Sequence, residues 1–183
     1  MISSLCVFCG ASNGVAAQYR DVAARFGRLC AEAGIRLVYG GGRVGLMGVC
    51  ADAALAAGGA VVGVIPRILH AREVAHTGVR ELHLVHDMHE RKQRMSDLCD
   101  GFVVLPGGLG TLDELIEVVT WRQLGLHRKP VAIVDEGGYW QPLLGLFEHV
   151  VAEGFAKADI RGFYHVVAKV EQAIPTLQAA VSK

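Results

Sequence analysis

Short apolar runs alternate with helix-length segments along this sequence, and this alternation restricts the fold more than any other feature. Runs of strand length occupy residues 5–8, 36–39, 60–65, 81–85, 101–105, 131–134 and 164–167. Segments with helical periodicity occupy residues 17–32, 46–57, 88–98, 112–124, 139–151 and 170–179. Strands that are apolar on both faces, such as Phe102-Val103-Val104-Leu105, are typical of parallel sheets covered by helices. We therefore predict an α/β fold with a doubly wound parallel sheet of about seven strands in three layers.

Length and charge narrow the class of protein further. The 183 residues fit a single domain over 1–183, in which residues 66–80 form a loop with a short helix. Lys plus Arg and Asp plus Glu both total 18, without a basic run, so we expect no nucleic-acid polymer as partner. No segment has the length and apolarity of a signal peptide or a membrane span, so we expect a cytoplasmic protein that does not bind membranes.

The cysteines and histidines do not indicate redox or metal chemistry. Cys6 and Cys9 form a C-x-x-C inside an apolar strand, where residues three apart point to opposite faces, so we predict two buried packing residues. The eight His include no H-E-x-x-H, and the Cys spacings match no zinc pattern. We predict no metal site.

Three turns that follow predicted strands are rich in glycine, and they indicate where function lies. In a parallel sheet, ligands bind beyond the carboxyl ends of the strands, and a glycine turn before a helix can receive a phosphate on free N–H groups. Purely structural turns are the alternative, but three at one edge favour phosphate binding. The turns are Cys9-Gly10-Ala11-Ser12-Asn13-Gly14, Tyr39-Gly40-Gly41-Gly42-Arg43-Val44-Gly45-Leu46-Met47-Gly48 and Pro106-Gly107-Gly108-Leu109-Gly110-Thr111.

Two familiar phosphate motifs fit poorly. Gly40-x-Gly42-x-x-Gly45 matches the dinucleotide fingerprint, but it follows the second strand, and the next strand ends in Val64-Ile65-Pro66-Arg67 without a carboxylate for the ribose. A Walker loop is excluded because the sequence contains no Gly-Lys-Ser/Thr.

Polar residues near the third turn have both a structural and a functional interpretation. Thr111-x-x-Glu114 is a capping box, which would account for both residues, but a carboxylate there could also face a bound sugar. Arg91 belongs to a charged helix start, which is ordinarily a solvated face. Its position at the same sheet edge would let it clamp a phosphate or orient a carboxylate.

Three strings in the sequence together resemble the Lonely guy (LOG) family of cytokinin riboside 5′-monophosphate phosphoribohydrolases. The resemblance extends over most of the chain, and the last string is specific. The strings are Tyr39-Gly40-Gly41-Gly42-x-x-Gly45-Leu46-Met47-Gly48, Met88-His89-x-Arg91-Lys92 and Pro106-Gly107-Gly108-x-Gly110-Thr111-x-x-Glu114.

The resemblance implies a Rossmann-like fold, a homodimer, no cofactor, and hydrolysis of a nucleoside 5′-monophosphate to free base and ribose 5-phosphate. It places the catalytic pair at Arg91 and Glu114. The residues expected to bind the substrate, whether AMP or a cytokinin riboside monophosphate, are Gly41, Gly42, Met88, Lys92, Gly107, Gly108, Gly110 and Thr111. Leu109 and Asp113 stand where many members carry Tyr and Glu, which bears on base preference. The label lysine decarboxylase, also given to members, has no pyridoxal-phosphate signature to support it here.

The hydrolysis of an N-glycosidic bond suggests roles for the acidic residues. Glu114 would stabilise the oxocarbenium-like charge and activate water, and its place near a helix N-terminus should favour its ionised form. Glu117, one turn further on, would contact the ribose hydroxyls or be a surface charge.

Alternatives to this function remain open at the level of sequence. They are a non-catalytic nucleotide sensor or carrier, and an AMP nucleosidase with no role in cytokinin. The apolar helix end around Trp121, Leu124 and Leu126 would be a dimer surface or an ordinary core contact.

Overall fold

All seven predicted strands form one parallel sheet. The structure, a computed structural model, describes residues 1–70 and 75–181. The strands lie in the order β4-β3-β2-β1-β5-β6-β7, and every neighbouring pair is parallel. Their bounds are within one or two residues of the prediction. They are β1 Ser4–Phe8, β2 Arg36–Tyr39, β3 Val61–Pro66, β4 Glu81–Val85, β5 Gly101–Val104, β6 Val131–Val134 and β7 His165–Val167.

Helices cover both faces of this sheet, as predicted. One core cluster contains Phe26 of α1, Cys50 of α2 and Leu177 of α7, and the other contains Met95 of α4 and Leu115 of α5. Right-handed crossovers divide the helices between the two faces of the sheet. The chain first adds β2, β3 and β4 on one side of β1 and then returns to add β5, β6 and β7 on the other side. The helices are α1 Ala17–Glu32, α2 Gly45–Ala56, α3 Arg67–His70, α4 Met88–Asp97, α5 Leu109–Gln123, α6 Gln141–Ala152 and α7 Ala173–Val181.

The two cysteines of the C-x-x-C point to opposite faces of the sheet, Cys6 from within β1 and Cys9 from the residue directly after it. Cys6 belongs to the core cluster that contains α4 and α5, whereas Cys9 belongs to the cluster that contains α1 and α2. Burial raises the pKa of both thiols far above its ordinary value. The prediction of buried packing residues is confirmed.

The start of α5 differs from the prediction. A capping box is the structural interpretation of Thr111 and Glu114, but the helix begins at Leu109 with Gly108 as its N-cap and no side-chain cap. The capping box is therefore wrong, because Thr111 is the third helical residue and Glu114 lies within the second turn. Both side chains are left to face the cavity described below.

The segment at 66–80 contains the short helix that was predicted, α3. Residues 71–74 of that segment lie outside the described residues. In the part of the chain that is described, no helix has the length and apolarity that crossing a bilayer requires.

The strand order places a crevice between β1 and β5. From β1 the chain continues to β2 on one side, and after β4 it returns to β5 on the other side. The turns after β1 and β5 therefore lead in opposite directions, and a ligand site is expected where they separate.

A close contact between α1 and α2 depends on a glycine. A Cβ added to Gly27 of α1 would lie 2.1 Å from the main-chain oxygen of Cys50 in α2. Gly145 of α6 is also a glycine within a helix, but its added Cβ would meet nothing within 4 Å.

We expect Gly27→Ala to lower the free energy of unfolding by roughly 1–3 kcal/mol, because the two helices must move apart. Gly145→Ala is the matched control and should be neutral or stabilising by up to about 1 kcal/mol through helix propensity. Urea unfolding of both variants measures the difference, and equal effects of the two would contradict the packing described.

Candidate active site

A cavity of about 270 Å³ opens at the crevice between β1 and β5. Its walls are residues 9–12 after β1, residues 108–111 after β5, and the side chains of Met47, Arg91 and Glu114. Two of the three glycine turns predicted to face a ligand thus form most of this site, and the catalytic pair implied by the resemblance lies in it.

Hydrogen bonds between the glycine turns hold the cavity in shape. The Gly10 N–H donates to the Pro106 oxygen at 3.0 Å, and the Leu46 N–H donates to the Gly10 oxygen at 2.8 Å. The Gly45 N–H donates to Oδ1 of Asn13 at 2.8 Å. Gly45 has a φ of 60°, and an added Cβ would lie 2.4 Å from the main chain of Ala11, so no other residue fits there.

Arg91 is fixed by main-chain atoms at the ends of two strands. From α4, its Nε donates to the Val64 oxygen and its Nη2 to the Gly40 oxygen, both at 3.2 Å. The remaining terminal nitrogen, Nη1, lies 3.7 Å from Oε1 of Glu114. Of the two roles open to Arg91, the geometry therefore favours orientation of the carboxylate.

Glu114 is buried, and burial determines its protonation. The residue is 8 % exposed. Burial raises the pKa of its carboxyl from 4.5 to about 7, although the nearby Arg91 guanidinium acts to lower it. Asp113 and Glu117 add to the increase in pKa, and Lys92 opposes it. The expectation that Glu114 is held in its ionised form is therefore wrong, because the loss of hydration raises its pKa to about 7 and leaves both forms populated near neutral pH.

Lys92 and Glu117 bind each other beside this pair. The Lys92 ammonium lies 3.0 Å from Oε1 of Glu117 and 3.1 Å from Oδ2 of Asp113. Oε2 of Glu117 is buried without a hydrogen-bond partner. Glu117 is therefore not a simple surface charge, and neither Lys92 nor Glu117 lines the cavity.

Four of the other predicted binding residues, Gly41, Gly42, Met88 and Gly107, also lie outside the cavity wall. Gly41 packs against Ile65, and its oxygen accepts the His76 N–H at 2.9 Å. Gly42 forms an isolated bridge with Ala75. Met88 is 42 % exposed and contacts Arg91 through its sulfur at 3.9 Å. Within the second turn, Met47 lines the cavity and Gly40 holds Arg91.

The third turn is tightly packed at its beginning and open at its end. A Cβ added to Gly107 would lie 2.1 Å from Oγ1 of Thr111, whereas one added to Gly108 or Gly110 would meet nothing within 4 Å. Thr111 is 3 % exposed and contributes to the cavity wall. Of the four predicted binding residues of this turn, Gly108, Gly110 and Thr111 line the cavity, whereas Gly107 packs behind it.

One residue beside the site was missed from the sequence. The Tyr139 hydroxyl donates to the Gly107 oxygen at 2.7 Å, from the turn after β6. Its only signal in the sequence is its place after the Gly137-Gly138 pair at the end of a predicted strand.

Residues able to ligate a metal are not clustered in the described chain. Among residues 1–70 and 75–181, no group of three or more His, Cys, Asp or Glu is placed to hold a metal ion. Glu114, Asp113 and Glu117 are engaged by Arg91 and Lys92.

The chain matches known proteins over most of its length. A family model described as "Possible lysine decarboxylase" matches residues 47–177. A cytokinin riboside 5′-monophosphate phosphoribohydrolase of Rhodococcoides fascians is 49% identical over 96% of this chain and 89% of its own length. The enzyme of that name designated LOG1 from Arabidopsis thaliana is 42% identical over 98% of this chain and 87% of its own. The chain belongs to the LOG family.

Solved structures share this fold at lower identity. A molybdenum cofactor carrier protein from Chlamydomonas reinhardtii has a TM-score of 0.76 at 21% identity, covering 100% of this chain and 99% of that one. A molybdenum cofactor binding protein from Rippkaea orientalis has a TM-score of 0.75 at 19% identity, covering 99% and 98%. At these identities, the similarity confirms the α/β architecture of LOG proteins and says nothing of the ligand.

The raised pKa of Glu114 predicts a pH-dependent stability. Because the pKa in the folded protein is about 7 and the ordinary value is 4.5, folding favours the protonated carboxyl. The resulting stability is complete below pH 4.5 and is lost as pH rises through 7. Between pH 5 and 8 the loss should be roughly 2–3 kcal/mol.

Urea unfolding of the wild type and Glu114→Gln at both pH values checks this prediction. The glutamine cannot ionise, so its free energy of unfolding should lack that decline. Glu32→Gln, an exposed site on α1, should behave as the wild type. The same pH dependence in all three proteins would show that Glu114 titrates normally.

Proposed function

We propose that this LOG protein hydrolyses the N-glycosidic bond of nucleoside 5′-monophosphates, namely cytokinin riboside monophosphates, AMP or both. The observation that carries the proposal is the buried Arg91–Glu114 pair in a cavity that the N-terminus of α5 also lines. The identity of 49% to a cytokinin riboside 5′-monophosphate phosphoribohydrolase supports the same chemistry. The products are the free base and ribose 5-phosphate.

The 5′-phosphate binds at the beginning of α5. The first N–H groups of a helix have no partner within it, and they carry the positive end of the helix dipole. Gly108 and Gly110 lack side chains that would cover these groups, and both line the cavity with Thr111. This wall therefore offers several donors to one doubly charged group.

Glu114 acts at the anomeric carbon. As the bond from C1′ to the base breaks, positive charge develops on the ribose, and the ionised carboxylate stabilises it and accepts a proton from water. The water oxygen bonds to C1′, and the departing base takes up a proton, so the reaction balances without a cofactor. With a pKa of about 7, the carboxyl releases this proton again near neutral pH.

Arg91 keeps that carboxylate in place. Two of its nitrogens are committed to the oxygens of Val64 and Gly40, so the third can face Glu114 in one orientation only. Lys92 offsets part of the negative charge of Asp113 and Glu117, which would otherwise raise the pKa of Glu114 further. In this arrangement Lys92 and Glu117 adjust Glu114 without contacting the substrate.

A carrier or sensor function is less well supported. In a protein that only bound a nucleotide, a carboxylate buried beside a phosphate site would weaken phosphate binding, because desolvation and like charge both oppose it. The same carboxylate stabilises the positive charge that develops on the sugar during hydrolysis, which favours a catalytic role for Glu114.

We further propose a homodimer formed through the outer surface of α5 and the turn that follows it. Ile116, Leu124 and Leu126 are 42, 67 and 68 % exposed. Such apolar side chains on one surface are typical of contacts between subunits.

Incubation with AMP and with isopentenyladenosine 5′-monophosphate tests the activity. We expect free base and ribose 5-phosphate from the wild type, and Glu114→Gln should lower kcat/KM by roughly 10²–10⁴-fold while it still binds AMP. Glu114→Gln also controls for contaminating activity, and Glu32→Gln, which should match the wild type, controls for effects of substitution as such. Binding without turnover in the wild type would identify a carrier.

Adenosine tests the phosphate anchor. Because it lacks the doubly charged group, its kcat/KM should be lower than that of AMP by roughly 100-fold or more, the equivalent of about two charge-assisted hydrogen bonds. Similar turnover of adenosine and AMP would show that the beginning of α5 does not bind phosphate.

The pH profile tests the state of Glu114. If the ionised form is required, kcat/KM for AMP should rise with pH and level off above a pKa of about 7. A rate that instead falls above pH 7 would assign Glu114 to donating a proton to the base.

A further inference from the structure

The phosphate-binding turn after β5 is held from both sides. On one side, the Gly10 N–H, from the turn after β1, donates to the Pro106 oxygen at 3.0 Å. On the other side, the Tyr139 hydroxyl, from the turn after β6, donates to the Gly107 oxygen at 2.7 Å. Since β1 and β6 are the two neighbours of β5 in the sheet, each adjacent turn fixes one of two consecutive carbonyl groups.

The bond from Tyr139 determines the orientation of the next N–H group. A peptide unit is planar and trans, so the Gly107 carbonyl and the Gly108 N–H point in opposite directions. With the carbonyl directed to Tyr139, the Gly108 N–H is directed away from it, and Gly108 lines the cavity. A peptide between two glycines rotates more easily than any other, so this orientation needs an anchor.

The hydroxyl is positioned by packing that does not depend on it. The Tyr139 ring lies edge-on to Tyr19, with centroids 5.3 Å apart, and edge-on to Trp140, at 4.8 Å. The main-chain N–H of Trp140 donates to Oδ1 of Asp135 at 2.6 Å, which fixes the turn that carries the Tyr139 and Trp140 rings. Removal of the hydroxyl alone should therefore leave the ring where it is.

We propose that Tyr139 is a positioning residue that sets the affinity for the 5′-phosphate by orienting the Gly108 N–H toward the cavity. The inference rests on the proposed function, since it concerns the phosphate site of that reaction. Tyr139 itself does not line the cavity.

The test compares Tyr139→Phe with the wild type on AMP. Loss of the anchor should raise KM for AMP roughly 3- to 10-fold, the effect of about one hydrogen bond, with kcat within twofold and the pH profile unchanged. Tyr19→Phe is the matched control, because it removes a hydroxyl from the neighbouring ring and leaves the Gly107 bond intact. It should match the wild type.

Inhibition by the two products separates positioning from general damage. For Tyr139→Phe, the inhibition constant of ribose 5-phosphate should rise by the same factor as KM, whereas that of adenine should not change. An unchanged constant for ribose 5-phosphate, or an equal increase for both products, would overturn the inference.

Calorimetric titration with AMP and with adenosine distinguishes failure of this inference about Tyr139 from failure of the proposed function. If the wild type binds AMP without hydrolysing it, the proposed function is wrong, and weaker binding of AMP but not of adenosine by Tyr139→Phe would still support the inference. If the wild type binds no AMP, both are wrong.

Discussion

The reversal of strand order between β1 and β5 is the constraint on which the site depends. Because successive strands extend first in one direction and then in the other, the turns after these two strands separate and leave a cavity. Their glycines bring the main chains close enough for Gly10 to bond with both Pro106 and Leu46. Helices α4 and α5 then bring two charged groups, Arg91 and Glu114, to this cavity from the same face of the sheet.

Burial and charge act against each other at Glu114, and burial is the stronger. Desolvation raises the pKa of this carboxyl, and the guanidinium at 3.7 Å lowers it without restoring its ordinary value. The carboxyl of Glu114 is thus partly protonated and partly ionised near neutral pH. A site that favours catalysis in this way is less stable than one filled by a neutral side chain, as is common for buried functional groups.

The sequence predicted the elements well because the relevant signals are local. Continuous apolar runs such as 131–134 identify buried strands, and the glycine turns identify the functional edge. The capping-box interpretation is wrong because helix α5 begins at Leu109 and includes Gly110. Glycine has a low helix propensity, and tertiary contacts hold the turn there. The ionisation of Glu114 and the contact of Tyr139 with Gly107 both depend on which strands are neighbours and on how deeply a residue is buried, and neither can be obtained from spacing along the chain.

The attachment of Arg91 to main-chain oxygens has a consequence for how the protein can vary. Every amino acid at position 64 presents the same carbonyl, so the guanidinium keeps that support whichever side chain evolution places there. Position 40 also supplies a carbonyl, but an added Cβ would lie 1.8 Å from Nη2 of Arg91. The two supports of the proposed catalytic pair therefore differ: the one at position 64 does not depend on its side chain, which only the apolar core restricts, whereas any side chain at position 40 would displace the guanidinium.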